Sequence, residues 1–168
     1  MSQFEGRVLV IGYGNPGRLD DGLGQALAER IEALGLPGVA TEVCYQLAAE
    51  HALSVAGFDT VVFADADTEG DGPYTCRRLE PLALSCFTTH HLDPRAVLGL
   101  ARDVYGAEPA GYLLGIRGYE FNEFDERLSR RAADNLDAAV QFIQSRRPPV
   151  VENGDHHERR ETRRPVRR

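Results

Sequence analysis

The sequence predicts a single α/β domain, a twisted and mostly parallel sheet with helices on both faces in three layers. Three observations point there. Apolar runs at residues 7–12 and 59–65 read as parallel strands covered on both sides, and 111–116 as a further strand. Segments with apolar residues at helical spacing lie between and after them. The two patterns alternate along the chain, which is the order of βαβ units. A length of 168 residues suits one such core.

The elements follow in order. Arg7 to Gly12 is the first strand, and a Gly/Pro loop from Tyr13 to Gly17 closes it. Leu23, Ala26, Leu27, Ile31 and Leu34 share a helix face, so 22–34 is a helix. Residues 39–44 form a second strand and 46–56 a second helix. Asp59-Thr-Val-Val-Phe-Ala-Asp65 is a buried strand ending on an acid, and Tyr74 to Leu79 alternates as an edge strand. Asp93-Pro94 starts a helix, Asp as the cap and Pro in the first turn, which runs to about Tyr105. Gly111 to Ile116 is the last strand. Ser129 caps a long helix with Ala133, Leu136, Val140 and Ile143 on one face, and Pro148-Pro149 ends it. The domain is expected over 1–147. The rest, 148–168, reads as a charged and disordered tail.

The net charge of −7 is uneven. From Arg146 to Arg168 there are eight Arg against four acids, so that stretch is +4 and the body before it −11. An acidic body argues against nucleic acid as a partner, because phosphate binding needs a basic face. Cys44, Cys76 and Cys86 are odd in number and lack CxxC spacing, which argues against a disulfide framework and a zinc knuckle. No stretch has a signal-peptide pattern or the length of a membrane span. The expectation is a cytoplasmic protein with no membrane partner.

Gly12-Tyr-Gly14-Asn-Pro-Gly17 matches GxGxxG after a strand, a weak dinucleotide signal. Asp20 and Asp21 follow it at the expected helix N-terminus, where carboxylates would repel a phosphate. A helix N-terminus instead stabilises carboxylates, and one of the pair, Asp20, is expected to be a simple cap. Ligands in open α/β sheets bind beyond the carboxyl ends of the strands. Asp21 lies past the first strand, Asp65 ends the third, and His90 sits in the loop before Asp93. Two carboxylates and an imidazole could hold a transition metal with positions open, or do acid–base work without one. His91 could replace His90. Asp67, Glu69 and Asp71 alternate but lack the spacing of a calcium loop and read as a solvated turn. Neither GxSxG nor HExxH is present.

Val8-Leu-Val-Ile-Gly-Tyr-Gly-Asn15 followed by Asp20-Asp-Gly-Leu-Gly24 resembles the opening of the hydrogenase maturation endopeptidases. Val62-Phe-Ala-Asp65-Ala66 with the Gly72-Pro73 turn resembles that family's second acidic segment, and Thr89-His90 its histidine segment. The likeness runs from about residue 7 to 145. It implies a hydrolase that removes a C-terminal peptide from the nickel-loaded precursor of a nickel–iron hydrogenase large subunit. It also implies metal contacts at Asp21, Asp65 and His90, the nickel being supplied by that precursor protein. Asp stands at 21 where some members have Glu, and Gly115-Ile-Arg-Gly-Tyr-Glu-Phe121 departs from the better-known members. Two rival readings are a non-enzymatic nickel-dependent assembly chaperone and a peptidyl-tRNA hydrolase. The second lacks its expected histidine, since the stretch here is Arg18-Leu-Asp-Asp-Gly22, and its mouth is acidic.

Overall fold

The computed structural model describes residues 3–83 and 92–148. Along them run β1 (Val8–Tyr13), a 3-10 turn (Leu19–Gly22), α1 (Leu23–Leu34), β2 (Val39–Cys44), α2 (His51–Ala56) and β3 (Thr60–Asp67). Then come β4 (Tyr74–Leu79), α3 (Pro94–Tyr105), β5 (Ala110–Arg117) and α4 (Arg130–Arg146). The sheet order is β2-β1-β3-β5-β4. Every neighbouring pair is parallel except β4, which runs antiparallel to β5 at the edge.

Side chains alternate across the strands, and this divides the interior in two. Val8, Val10, Val62, Ala64, Leu114 and Ile116 face α1 and α4. Leu9, Ile11, Val61 and Phe63 face α2 and α3. The expected three layers are therefore present. Near-continuous apolar runs are what a strand buried on both faces requires.

Two caps act as the sequence suggests. Asp93 Oδ1 accepts from Arg95 N at 2.8 Å, and Ser129 Oγ accepts from Ala132 N at 3.3 Å. Three boundaries differ. Residues 46–50 are not helical; α2 begins at His51, whose Nδ1 accepts from Ala48 N at 2.9 Å and closes a turn there. Helix α1 begins at Leu23, after the 3-10 turn. β3 continues past Asp65 because β5 stays paired with it as far as Asp67 and Arg117. Residues 149–168, nearly all of the expected tail, lie outside the described residues, as do Cys86, His90 and His91. Among the described residues no helix is long and apolar enough to cross a membrane.

Candidate functional site at the carboxyl ends of β1 and β3

Strand order reverses at β1, with β2 on one side and β3 on the other. That is a topological switch point, where an open parallel sheet leaves a crevice. The glycine loop crosses it, and its contacts explain its composition. Gly14 has φ +129°, a conformation most side chains avoid, and a Cβ there would lie 2.3 Å from the Asp21 carbonyl oxygen. The same Cβ would be 3.8 Å from Asp65 Oδ1, so Gly14 lies between the two acids. Asn15 N donates to Asp21 Oδ2 at 3.0 Å. A backbone donor that a phosphate-binding loop would aim at its ligand is here spent on the protein's own carboxylate.

The start of α1 presses directly on the strand ends. A Cβ on Gly24 would stand 2.3 Å from Ala64 O and 2.5 Å from Tyr13 O. Only a residue without a side chain lets helix and sheet approach so closely. This contact sets the turn that carries Asp21 over the end of β3. Gln25, buried in the first turn of α1, donates to Gly14 O at 2.9 Å and Cys44 O at 2.8 Å, tying the loop to β2.

Asp20 and Asp21 have separate tasks. Contrary to the expectation of a simple cap, Asp20 does not cap α1; it is fully buried and reaches across the molecule. Its Oδ2 accepts from Tyr119 N (2.8 Å), Glu120 N (3.0 Å) and Ser129 Oγ (2.7 Å), and its Oδ1 from Ser129 N (2.7 Å). Burial alone would raise its pKa, but these donors outweigh that and hold it below the usual carboxylate value. They also hold a strained turn, since Leu19 has φ +50° without being glycine. Asp21, next in the chain, is left half-buried and turned toward Asp65.

Asp65 is half-buried on β3. Burial pushes its pKa up to about 6. A hydrogen bond from Ala66 N, at 2.8 Å, opposes the rise, and the Asp21 charge adds to it. The Tyr13 hydroxyl also bonds to Asp65, and Tyr13 is itself raised by burial and by that carboxylate. Asp93 acts on Tyr13 as well, which brings the start of α3 within electrostatic reach of the crevice. Leu92 packs in the same apolar cluster as Tyr13.

The structure thus unites two of the three expected site residues, Asp21 and Asp65, while His90 lies outside the described residues. Among the described residues no group of three potential metal-binding side chains occurs. The pair still fits a cation: each acid has one oxygen fixed by a backbone N–H, and among the described residues the second accepts no backbone hydrogen bond. Sequence reading missed Tyr13, Gln25 and the long reach of Asp20. Only the position of Tyr13, inside the glycine motif, could have drawn attention.

No protein-family model and no curated protein matches the chain. Solved structures do. One is a NiFe hydrogenase maturation protease HycI from Thermococcus kodakarensis KOD1, with TM-score 0.65 and 24% identity, covering 83% of this chain and 90% of that one. A NiFe hydrogenase maturation protease HybD from Thermococcus kodakarensis has TM-score 0.63 and 18% identity, over 83% and 97%. The hydrogenase maturating endopeptidase HybD from E. coli has TM-score 0.59 and 22% identity, over 83% and 90%. The fold of this chain is the fold of those proteases.

Proposed function

We propose that the protein is an endopeptidase that removes a C-terminal peptide from the nickel-loaded precursor of a nickel–iron hydrogenase large subunit. The observation that carries this reading is the convergence of Asp21 and Asp65 at the switch point of a fold shared with such proteases. His90 is the third group in this proposal. It precedes Asp93 by three residues, which span no more than about 10 Å of chain, and the Asp93 charge is felt at Tyr13.

Nickel enters as part of the substrate, already held by the precursor. Oxygen ligands from Asp21 and Asp65 and a nitrogen from His90 complete its coordination, so an unloaded precursor offers nothing to grip. Asp65 retains a proton more readily than an ordinary carboxyl, and an arriving cation displaces it, coupling docking to proton release. Asn15 N and Ala66 N hold the two carboxylates in place before substrate arrives. Hydrolysis then adds one water across the scissile amide beside this pair. The free thiols of Cys44 and Cys76 support a reducing, cytoplasmic setting.

Incubation with nickel-loaded and nickel-free precursor, followed by mass spectrometry of its C-terminus, tests the reading. Loss of a peptide from the loaded form alone is expected. Asp21→Ala should slow that loss by at least about 100-fold, since removing even an outer contact of a metal site costs about 10–100-fold. A stable complex with no mass change would make the protein an assembly chaperone instead.

A further inference from the structure

Beyond the acids the crevice continues as an open groove of about 300 Å³ on the sheet face shared by Asp65, Asp67, Leu113, Gly115, Thr75 and Arg77. Its floor is Gly115, where a Cβ would come within 3.1 Å of Thr75 Oγ1 and 3.3 Å of Asp67 Oδ2. A side chain there would narrow the channel. The register fixes its course: Asp65 is level with Gly115, Gly115 with Thr75, and Arg77 with Leu113. Two strand spacings across and two residues along place the backbone of Arg77 roughly 12 Å from that of Asp65, about three to four residues of extended chain.

The groove is electrically polar. Its β3 wall carries Asp65 and Asp67, and Asp67 Oδ1 is partly spent on Glu69 N at 3.0 Å. Its β4 wall carries Arg77, exposed and with no hydrogen bond or ion pair among the described residues. The other arginines nearby are engaged. Arg117 donates to Thr68 O and Gly118 O, Arg78 stacks on Tyr112, and Arg95 donates to Glu80 O.

We propose that this groove, from Asp65 to Arg77, holds the extended segment of the precursor beside the cleaved bond, and that Arg77 selects for a carboxylate about three residues from it. The inference rests on the proteolytic reading above and gives its substrate a charge pattern. The acidic wall takes the cation-bearing end of the segment, and the guanidinium takes the anionic end. A planar guanidinium meets a carboxylate through two parallel hydrogen bonds, a match that lysine cannot reproduce. Arg77 is a specificity-determining residue in this account and takes no part in bond breaking.

The test is steady-state cleavage of nickel-loaded precursor by the wild type, Arg77→Ala, Arg77→Lys and Arg77→Glu. An exposed charge pair is worth little until a partner covers it, so the expected rise in KM is about tenfold for Arg77→Ala and more for Arg77→Glu. The kcat should stay within about twofold. Changing the acidic precursor residue near the cut to Arg should restore cleavage by Arg77→Glu. A precursor carrying extra residues at its C-terminus separates an acidic side chain from the terminal carboxylate, because only the second source moves. Added salt should raise the wild-type KM more steeply than that of Arg77→Ala, which has lost one of the two charge contacts. Wild-type cleavage with the KM of Arg77→Glu unchanged, or with neither a rescuing precursor position nor a rise in wild-type KM on C-terminal extension, overturns this proposal alone. A wild type that leaves the loaded precursor intact overturns the proteolytic reading and this proposal with it.

Discussion

Asp65 titrates near 6 because burial, aided by the Asp21 charge, makes its ionised form costly in the folded chain. In the unfolded chain it titrates near the ordinary carboxylate value of 3.8. Below that value both states are protonated and the residue is neutral in effect. As pH rises toward 6 the unfolded state loses its proton first, and stability falls. Above 6 both are ionised and the native state carries the full penalty. Asp65→Asn keeps an acceptor for Ala66 N and removes that penalty. Discounted for its partial exposure, the gain should be about 1–2 kcal/mol above pH 6, about 3–6 °C in a melt of a chain this size. The advantage should shrink away below about pH 4. Melts of the two proteins from pH 4 to 8 check it, and equal curves at pH 8 would remove the penalty from the account. A site that gains stability when disarmed is one where function and stability compete. Asp20 is the reverse case. Its charge is satisfied by four donors and stabilises the fold, so it behaves as structure although it neighbours Asp21.

The element that places the site is the start of α1, and its sequence is a packing rule written in glycine. A methyl at Gly24 would strike two backbone carbonyls, Ala64 O and Tyr13 O, that cannot swing aside. Relief requires the helix to lift from β1 and β3, which would carry Asp21 away from Asp65. Gly24→Ala should therefore cost about 2–3 kcal/mol, as overpacking does, despite alanine being the better helix former. It should also lower precursor cleavage more than the melting temperature alone explains. Activity at the wild-type level in a folded Gly24→Ala protein would refute that link between helix seating and site. At this scale the sequence is most readable where signals are local. Asp93 before Pro94, Ser129 before α4 and the apolar run of β1 each act within a turn of themselves. The sequence pattern extends α2 too far because apolar residues at 47–49 continue its spacing, whereas the chain there turns through Ala48 and His51.

At the scale of the whole molecule, legibility falls with separation along the chain. Continuous apolar runs foretold two covered faces, and the strand-end positions of Asp21 and Asp65 foretold a crevice that the two could share. Nothing local foretold Asp20 meeting Ser129, 109 residues on. Nor did anything local foretell β5 entering between β3 and β4, which creates the groove from Asp65 to Arg77. The same global view predicts where the folded unit ends. Among the described residues the buried apolar side chains run from Phe4 to Ile143. The chain ends of that unit are laced together: Phe4 N donates to Arg146 O at 2.8 Å, and Gln3 Nε2 to Ser145 O at 3.3 Å. Residues 149–168 include Val150, Val151 and Val166 but no aromatic or longer aliphatic side chain, so they have little apolar surface to bury. A chain ended after Pro148 keeps both cores, α4 and its tie to the N-terminus. It should melt within about 2 °C of the full protein, since a 1 kcal/mol loss moves a chain of this size by about 2–4 °C. Circular dichroism melts of the two chains at equal pH and salt decide it. A fall beyond about 5 °C would mean that the basic tail braces the acidic body and belongs to the folded unit.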